Sequence, residues 1–503
     1  MSQSNIPAKT NNISESKSQI LLLNADSMIG SKDLDIQRLI GNVKFSHEGS
    51  IMDCDSAHFD TKSNIMRAFS NVVINQGDSV FAYSDYAFYE GDKSLAKLYE
   101  NVKLKTHTLS ELTTDSLFFD RKKQEAFYLN GGHLKDSLNT LVSKEGYYYM
   151  ERKKIAFFKD IVLKNNDGYT MYSDTVYHDI AQKNITVCGP SKIENKDGDI
   201  NFIYGIYNTS ENTAFFDKRP ILKYDNRTLE ADSLIYNRET EHSTYMGNVE
   251  IIDTINSVII NSERVDVFNK LDSCAVTINP MVTFILKEDS LFMHSDKIIV
   301  KGDSIGNKLL RAFNNVKFYK DDLQGKCDSV SFRESNRTLN MEVDPVIWAD
   351  EYQLTADRIS IKIDEKTDKL DSIKMLENSF IVSKQEDDRF NQIKGKNMYG
   401  SFRDNQLYKL FIDGNSQSLY YLKDEQENLL GVDKSNSVYI NITFQENKLS
   451  SISYIKDVDS KVFPIDKIPI NARKLRNFIW KENERPKSKV DIFKKDTLQL
   501  KNE

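Results

Sequence analysis

The sequence lacks several features that would place it in a familiar class. No run of about 18 apolar residues occurs in its 503 residues, which excludes a transmembrane helix of ordinary length. The first 19 residues are rich in Ser, Asn and Lys and have no hydrophobic core, so they do not form a signal peptide. There is no excess of positive charge either. A net charge of -7 and a pI near 5.7 argue against binding to nucleic acid.

Residues that usually carry chemistry are few and scattered. The 7 histidines occur singly, without the spacing of metal ligands, and the 4 cysteines include no Cys-x-x-Cys pair. No Gly-rich phosphate loop, Gly-x-Ser-x-Gly element or Cys/His nucleophile context is present. The sequence therefore predicts no catalytic residue, no metal site, no cofactor and no enzymatic activity.

What the sequence does contain is a repeat of about 30 residues. An acidic residue, which we call the anchor, recurs at intervals of 29 to 33 residues, with Ile203 at the one gap. The anchors are Asp26, Asp55, Asp85, Asp115, Glu145, Asp174, Asp232, Glu263, Asp296, Asp328 and Asp357. Two looser copies follow near Lys396 and Asn436, which makes about 14 copies in all. One continuous repeat favours a single array over separate globular domains.

Each repeat also carries an Asn-Val-x-apolar segment about half a period after the anchor, as in Asn42-Val43-Lys44-Phe45. Two turn signals per repeat separate runs rich in β-branched and aromatic residues, which predicts two antiparallel rungs per repeat. A rung of roughly 12 residues is long for one flat strand, so each should bend midway and join two facing sheets. Four prolines fall 16 or 17 residues after an anchor position and mark this bend: Pro190, Pro220, Pro280 and Pro345.

These patterns predict three regions. Residues 1–19 read as a disordered leader. Residues 20–460 form the repeat array, regular to about residue 375 and looser over 376–460. Residues 461–503 form a basic tail interrupted by prolines, either a short docking element or a poorly ordered terminus. With about 27 rungs spaced ~4.8 Å apart, the array is expected to be an elongated trough or rod roughly 130 Å long.

Period-2 alternation indicates which side chains face inward. Apolar residues stand two and four positions after most anchors and again in the Asn-Val segments, and these two columns should face each other. The candidate inner residues are Val43, Phe45, Phe59, Val72, Ile74, Tyr89, Val102, Leu104, Leu117, Phe119, Tyr149, Leu163, Tyr236, Val249, Ile251, Val316, Phe318, Phe332 and Trp348. A core packed fully shut and an open groove are both compatible with this pattern.

The column of acids has two interpretations. Catalysis requires unlike groups that converge on one reacting atom, whereas here the same group recurs every second rung, about 9–10 Å apart. Such a distribution favours a structural role, in which each Asp accepts hydrogen bonds from backbone or Ser near the bend.

The two alternating motifs resemble those of the organic-solvent-tolerance (OstA/LptA-like) family of lipopolysaccharide transport proteins. Gly41-Asn42-Val43-Lys44-Phe45 and Gly247-Asn248-Val249-Glu250-Ile251 match the glycine-asparagine-valine signature of that family. Ala25-Asp26-Ser27 and Ala231-Asp232-Ser233-Leu234-Ile235-Tyr236 match its alanine-aspartate partner. The resemblance covers about residues 20–460, which is much longer than the single-domain members of the family.

The resemblance implies an all-β protein built as an elongated β-taco, or open β-jellyroll, of two facing antiparallel sheets. It also implies a periplasmic bridge component without enzymatic activity, whose groove shields lipid A acyl chains between the inner and outer membranes. The candidate inner residues would then line a lipid-binding groove. Expected partners are lipopolysaccharide, inner- and outer-membrane transport proteins joined by edge-strand addition, and further copies joined end to end, but not nucleic acid. Periplasmic placement requires an export signal that has been removed.

Two alternatives stay open at this point. One is a structural or adhesive β-solenoid with a closed core and no ligand. The other is a carbohydrate-active solenoid enzyme, which would need acids or histidines clustered on neighbouring copies.

Overall fold

In the computed structural model, nearly all of the regular secondary structure in the described residues is β-strand. The described residues are 19–30, 35–75, 80–106, 110–286, 289–302, 307–367, 369–385, 388–403, 406–424, 426, 428–445 and 448–496. The chain divides into two compact units, unit 1 (Met1–Lys218) and unit 2 (Arg219–Glu503). Of the predicted leader, residues 1–19, only Gln19 lies within the described ranges.

The strands of unit 1 pair antiparallel with their neighbours. Within the described residues they are β1 (Leu21–Asn24), β2 (Ser27–Ile29), β3 (Ile36–His47), β4 (Ser50–Asp60), β5 (Ile65–Asn75), β6 (Val80–Glu90), β7 (Leu95–Thr106), β8 (Glu111–Asp120), β9 (Glu125–Tyr128), β10 (Gly132–Lys135), β11 (Asn139–Ser143), β12 (Glu145–Tyr149), β13 (Lys154–Asn165), β14 (Thr170–Asp179), β15 (Asn184–Glu194), β16 (Gly198–Asn208) and β17 (Thr213–Asp217).

Unit 2 continues the same alternation and ends in longer strands. Its described strands are β18 (Ile221–Tyr224), β19 (Arg227–Glu230), β20 (Ser233–Asn237), β21 (His242–Asp253), β22 (Val258–Phe268), β23 (Ser273–Thr277), β24 (Met281–Ile285), β25 (Ser290–His294), β26 (Lys297–Gly302), β27 (Lys308–Lys320), β28 (Leu323–Arg333), β29 (Thr338–Glu342), β30 (Val346–Ala349), β31 (Tyr352–Thr355), β32 (Arg358–Ile363), β33 (Leu370–Lys384), β34 (Phe390–Arg403), β35 (Gln406–Lys423), β36 (Leu429–Gln445), β37 (Lys448–Ile455) and β38 (Asp459–Phe463). No α-helix occurs in the described ranges. Short 3-10 turns such as Gly91–Lys93 and Glu334–Asn336 form some connections.

Rungs bend at a β-bulge and so contribute to two facing sheets, as the sequence predicts. In β3 the register with β4 shifts at Gly41 and Asn42, which both have positive φ (78° and 45°). The same pair of left-handed residues recurs in β27 at Asn314 and Asn315 (59° and 52°). Two consecutive left-handed residues turn the strand sharply, and Asn accepts this conformation more readily than most residues. Residues of positive φ also directly precede the four prolines: Gly189, Arg219, Asn279 and Asp344.

In each unit, sheet 1 contains the Asn-Val half of the rungs and sheet 2 contains the anchor half. A side-chain hydrogen bond joins the two motifs at the bend, where an Asn Nδ2 donates to an anchor carboxylate. The pairs are Asn42–Asp26 (2.9 Å), Asn71–Asp55 (2.8 Å), Asn101–Asp85 (2.6 Å), Asn248–Asp232 (2.8 Å), Asn315–Asp296 (2.9 Å) and Asn378–Asp357 (3.0 Å). The acids thus accept hydrogen bonds at a bend, as expected, although the donor here is Asn rather than Ser.

One anchor was assigned to the wrong residue. The Lys144 amide donates to the Lys159 carbonyl (3.0 Å), just as the amide of the anchor Asp232 donates to Gly247 (2.9 Å). Lys144 therefore holds the anchor position, and Glu145 lies one residue beyond it, where it pairs with the Lys159 ammonium (2.6 Å). An acid at nearly the right spacing misled the sequence alignment of this repeat.

The core of each unit lies between its two sheets. In unit 1, Phe45 of sheet 1 meets Phe59 of sheet 2 edge to face, with ring centroids 5.6 Å apart. Val43 and Ala57 beside them are fully buried. Side chains of the two sheets therefore pack against each other near the bends.

After β38 the chain turns back along unit 2. Residues 464–496, which we call the strap, cover the outer face of sheet 1, the face that points away from the core. The contact forms a second apolar cluster that includes Phe390 and Leu419 of the sheet and Ile468 and Leu475 of the strap. The stretch expected to be a docking element or a poorly ordered terminus is thus, as far as Asp496, packed on its own sheet.

Candidate functional site

The inner face of sheet 1 carries a continuous ladder of directly paired side chains in unit 1. All but one of its members are larger than alanine, and all are apolar. The ladder runs Phe45, Met52, Ile74, Ala82, Leu104, Leu112, Leu134, Leu141, Leu163, Met171, Ile193 and Ile200. Each step joins residues on neighbouring strands, about 4.8 Å apart, so this row of side chains has no polar interruption.

Unit 2 has the same ladder at the same register. It runs Leu222, Leu229, Ile251, Ile260, Val282, Met293, Phe318, Gly325, Ile347, Leu354, Ile381 and Ile393. The next two positions are Ser418 and Ser435, so the apolar stretch ends there. Gly325 makes room for a large neighbour, because a Cβ at this position would overlap the Phe318 ring.

Most residues expected to face inward do so. On sheet 1 these are Val43, Phe45, Val72, Ile74, Val102, Leu104, Leu163, Val249, Ile251, Val316 and Phe318. On sheet 2 they are Phe59, Tyr89, Leu117, Phe119, Tyr236 and Phe332, which pair with inner residues of the neighbouring strands. Tyr149 and Trp348 do not.

Tyr149 and Trp348 lie on outer faces because the register was misplaced by one residue. Tyr149 pairs with Glu125, while Gly146 and Tyr148 face inward after the true anchor at Lys144. Trp348 pairs with Gln324, and its neighbour Ile347 occupies the inner ladder. In a period-2 element, a slip of one residue moves every side chain to the other face.

In the rungs of β5 and β7, burial of the inner side chains falls from the bends toward the opposite side, which we call the mouth. Val43, Val72 and Val102, next to the bends, are fully buried, whereas Ile74 and Leu104 nearer the mouth are partly exposed. The two sheets are therefore in close contact near the bends and less so toward the mouth.

Polar side chains that the sequence did not single out join the two sheets at the mouth of unit 1. His47 Nδ1 lies 2.5 Å from the Tyr89 hydroxyl. Arg121 donates to the His47 carbonyl (3.2 Å) and to the Glu48 carbonyl, and it also pairs with the Glu48 carboxylate at 3.3 Å. Burial, together with the nearby Glu48 charge, raises the pKa of Tyr89 to about 12. Tyr89 is therefore a neutral phenol at neutral pH.

Tyr128 crosses the interior of unit 1 further along. Its hydroxyl lies 2.6 Å from Ser143 Oγ on the opposite sheet. Gly132 and Gly146 flank the ring, and a Cβ at either glycine would overlap it. A tyrosine followed by a glycine at the paired position of the neighbouring strand (Gly146) and another on the opposite sheet (Gly132) is the sequence signal for this crossing.

Metal-ligating side chains are not clustered in the described ranges. No set of three His, Cys, Asp or Glu residues there is placed to hold a metal ion. Burial raises the pKa of Cys54 and of Cys327 to about 12, so both thiols stay protonated and poorly nucleophilic.

The strap meets a set of polar residues that sequence reasoning also missed. Gln324, Gln353 and Gln392 are nearly or fully buried on the outer face of sheet 1 beneath it. A signal for them was present, because each stands four residues before a repeat position: Asp328, Asp357 and Lys396. Three glutamines in one phase of a repeat indicate a shared ligand rather than chance.

The fold and its inner faces define a class: β-repeat proteins whose two facing sheets enclose a long apolar surface. Residues 17–174 match the family model described as OstA-like protein, and residues 228–367 match the model of the LptA/(LptD N-terminal domain) LPS transport protein. The two regions together make up more than half of the chain. The chain belongs to the OstA-like family of lipopolysaccharide transport proteins.

Chains of solved structures also match. One is the crystal structure of LptH, described as the LptA homologous periplasmic component of the conserved lipopolysaccharide transport device from Pseudomonas aeruginosa. It is 12% identical, and the match covers 29% of this chain and 100% of that chain with a TM-score of 0.22. No curated protein matches the chain. In the described ranges, no helix has the length and hydrophobicity needed to cross a membrane.

Proposed function

We propose that the protein is a periplasmic bridge component of lipopolysaccharide transport, without enzymatic activity, that shields lipid A acyl chains between its two sheets. The observation that carries the proposal is the unbroken apolar ladder on the inner face of sheet 1 in both units. An acyl chain with about ten CH₂ groups gains roughly 8 kcal/mol on leaving water. A surface that offers the same contact at every rung can therefore hold such a chain along its length without specific bonds.

Uptake would occur from the mouth. The inner residues there, such as Ile74 and Leu104, are already partly exposed, and the sheets there are joined in unit 1 by polar contacts of His47 and Arg121. His47 is buried, so lipid entry would require these hydrogen bonds to break, and each contributes only about 0.5–1.5 kcal/mol of net stability. Because neighbouring rungs offer nearly equal burial, the protein would be a passive conduit, and an external energy source would set the direction of movement.

Partners would join the conduit by strand addition at its first rung. β1 and β2 both pair with β3, and their side chains Leu21, Leu23, Met28 and Ile29 are more than half exposed. An edge with exposed apolar residues is suited to pair with a strand of a membrane-bound transport partner or of a second copy. The double substitution Leu21→Lys and Leu23→Lys should abolish capture of the partner while the far-ultraviolet circular dichroism is unchanged. Unimpaired capture would remove edge pairing from the proposal.

Site-specific photo-crosslinking tests the lipid assignment. A photo-reactive amino acid at Phe119 or Phe318, both on inner faces, should capture lipopolysaccharide when the protein is made in cells that transport it. The matched outer positions are Lys103 and Tyr172, which are exposed on sheet 1 of unit 1. Lys317 is unsuitable as an outer control because the strap buries it. Equal labelling at inner and outer positions would defeat the proposal.

A closed structural rod is the second candidate, and the full burial of Val43, Ala57 and Val72 favours it. In that case the sheets never part, and neither Phe119 nor Phe318 should yield a lipid adduct. The same experiment therefore separates the two functions.

A further inference from the structure

The strap is held by side-chain amides that bind its backbone. The Gln353 side chain is fully buried. It donates from Nε2 to the Ile479 carbonyl (2.8 Å) and accepts at Oε1 from the Lys481 amide (2.7 Å). One side-chain amide thus satisfies a carbonyl and an N–H two residues apart, whatever side chains the strap carries there.

This contact is repeated along the sheet. Gln392, also fully buried, donates to the Arg473 carbonyl (2.9 Å) and accepts from the Leu475 amide (2.8 Å), six residues earlier in the strap. Six residues later, Gln324 Oε1 accepts from the Arg485 guanidinium (2.7 Å). Successive glutamines lie two strands apart in sheet 1. The contacts on the sheet are therefore evenly spaced, and each one meets the strap six residues further along the chain.

Charge complementarity adds a second, independent observation. Lys317 and Lys326 stand directly opposite each other on paired strands of this face. Like charges in that position repel unless an anion lies between them. The strap supplies it, because the Asp496 carboxylate contacts Lys317 (2.8 Å) and Lys326 (2.7 Å), and Glu484 also pairs with Lys326.

From these contacts we infer that the outer face of sheet 1 in unit 2 is a peptide-binding surface and that residues 471–496 are its built-in, displaceable ligand. The surface binds an extended segment through backbone contacts at Gln353 and Gln392 and through the carboxylates of Glu484 and Asp496 at the lysine pair. No backbone ladder ties the segment to the sheet, and the residue directly before it, Ile470, is exposed. Release of the segment would expose the surface to a like segment of a second copy. This inference does not depend on lipid transport.

Cutting the chain at the exposed turn tests whether the segment behaves as a ligand. A protease recognition sequence inserted after Ile470 in the full chain allows the strap to be separated covalently from the folded protein. After cleavage, the segment should stay bound on gel filtration and should exchange for a fluorescent synthetic peptide of residues 471–496. The peptide should bind saturably to the cleaved protein once the original segment has been displaced.

Variants identify the contacts that recognise the peptide. Gln353→Ala with Gln392→Ala should weaken peptide binding tenfold or more, since two pairs of buried hydrogen bonds are lost. Gln406→Ala is the matched control, because Gln406 is exposed and away from the strap. A peptide with Asp496→Asn and Glu484→Gln should also bind at least about tenfold more weakly, and the difference should shrink in high salt.

Three outcomes would overturn the inference. The cleaved protein could unfold, or retain its segment against a hundredfold excess of peptide, and either result would make the strap a fixed part of the core. Equal affinity of the double glutamine variant and the Gln406→Ala control would show that the surface does not recognise the peptide through these residues.

Discussion

Two equivalent pairs of residues show how the units differ. In unit 1, Lys44 of β3 stands opposite Asp53 of β4 on the outer face of sheet 1, and the two form an exposed ion pair at 3.0 Å. The same register positions in unit 2 are Lys317 and Lys326, both lysines and both shielded from solvent. The acid that unit 1 provides from the neighbouring strand comes in unit 2 from the strap, at Asp496.

The difference teaches that the repeat constrains one face only. The inner ladders stay apolar over twelve positions in each unit, because a polar replacement there would need a hydrogen-bond partner between the sheets, as Ser418 and Ser435 have at the end of unit 2. Outer faces are free to diverge. Unit 1 leaves its outer face of sheet 1 in water, whereas unit 2 uses the same face to bind its own chain.

Removal of a large side chain from the covered face should give the largest effect. Trp348 is fully buried beneath the strap, so Trp348→Ala should lower the free energy of unfolding by about 3–5 kcal/mol. Tyr172 is the matched aromatic residue on the same face in unit 1 and is 41% exposed, so Tyr172→Ala should cost less than about 1 kcal/mol. Chemical denaturation followed by circular dichroism measures both. Equal decreases in unfolding free energy for the two variants would contradict the distinction between a covered and an exposed outer face.

Removal of the strap carboxylate should have an intermediate effect. Asp496→Ala leaves Lys317 and Lys326 opposed without an anion, and we expect local stability of the distal strap to fall by about 2 kcal/mol. Asp53→Ala in unit 1 removes the exposed counterpart and should cost under about 1 kcal/mol. Hydrogen exchange of residues 484–496, compared with that of β3 and β4, reads out the two changes. A larger effect at Asp53 would contradict the argument from burial.

Acid should loosen the same part of the strap in two steps. The ring of His294 lies 4.5 Å from that of Phe493, and burial lowers the pKa of this histidine. The stability that its neutral ring gives to the strap is therefore complete above the ordinary His pKa near 6.5 and declines below it. Burial opposes the charged form of Asp496, but hydrogen bonds from Lys317 and Lys326 more than offset it and lower the pKa of this carboxyl. Its contribution is therefore complete above about pH 4 and is lost as the pH falls further.

Lys326, which pairs with Asp496, sets the upper limit of the pH range in which the strap is most stable. Burial opposes the charge on Lys326, but hydrogen bonds to Asp496 and Glu484 raise the pKa of this ammonium above its ordinary value. The stability that the charged Lys326 gives to the strap is complete below about pH 10 and is lost only above it. Hydrogen exchange of the strap should thus be slowest, after correction for intrinsic rates, between about pH 6.5 and 10. His294→Asn should remove the first acid step and keep the second, and a single step in both proteins would refute the assignment.

Much of the fold could be predicted from the sequence because one rule is obeyed at every rung. The alternation of apolar and polar residues around the anchors and the Asn-Val segments predicted the two sheets, the bends and inward-facing residues such as Phe45 and Phe318. Register failed at Tyr149 and Trp348, where an adjacent acid or a proline imitated the motif one residue out of place. The strap contacts could not be predicted by the same rule, since the hydrogen bonds at Gln353 and Gln392 join residues 81 to 128 positions apart and the strap itself lies outside the repeat.

The hydrogen bond at the bend should give the smallest effect and is common to both units. Asn101 has φ of 54° and donates to Asp85 at 2.6 Å, so it contributes both an unusual backbone conformation and a side-chain bond. Asn101→Gly keeps the backbone conformation available and removes only the bond, which should cost about 0.5–1 kcal/mol at this exposed site. Asn101→Ala also strains a left-handed position and should cost about 1 kcal/mol more. In unit 2 the bend has the same conformation. Asn315→Ala should therefore again lower the free energy of unfolding more than Asn315→Gly, by the same difference. If the Ala and Gly variants differed in stability in one unit only, the strap, rather than the bend, would determine how the rungs of unit 2 fold.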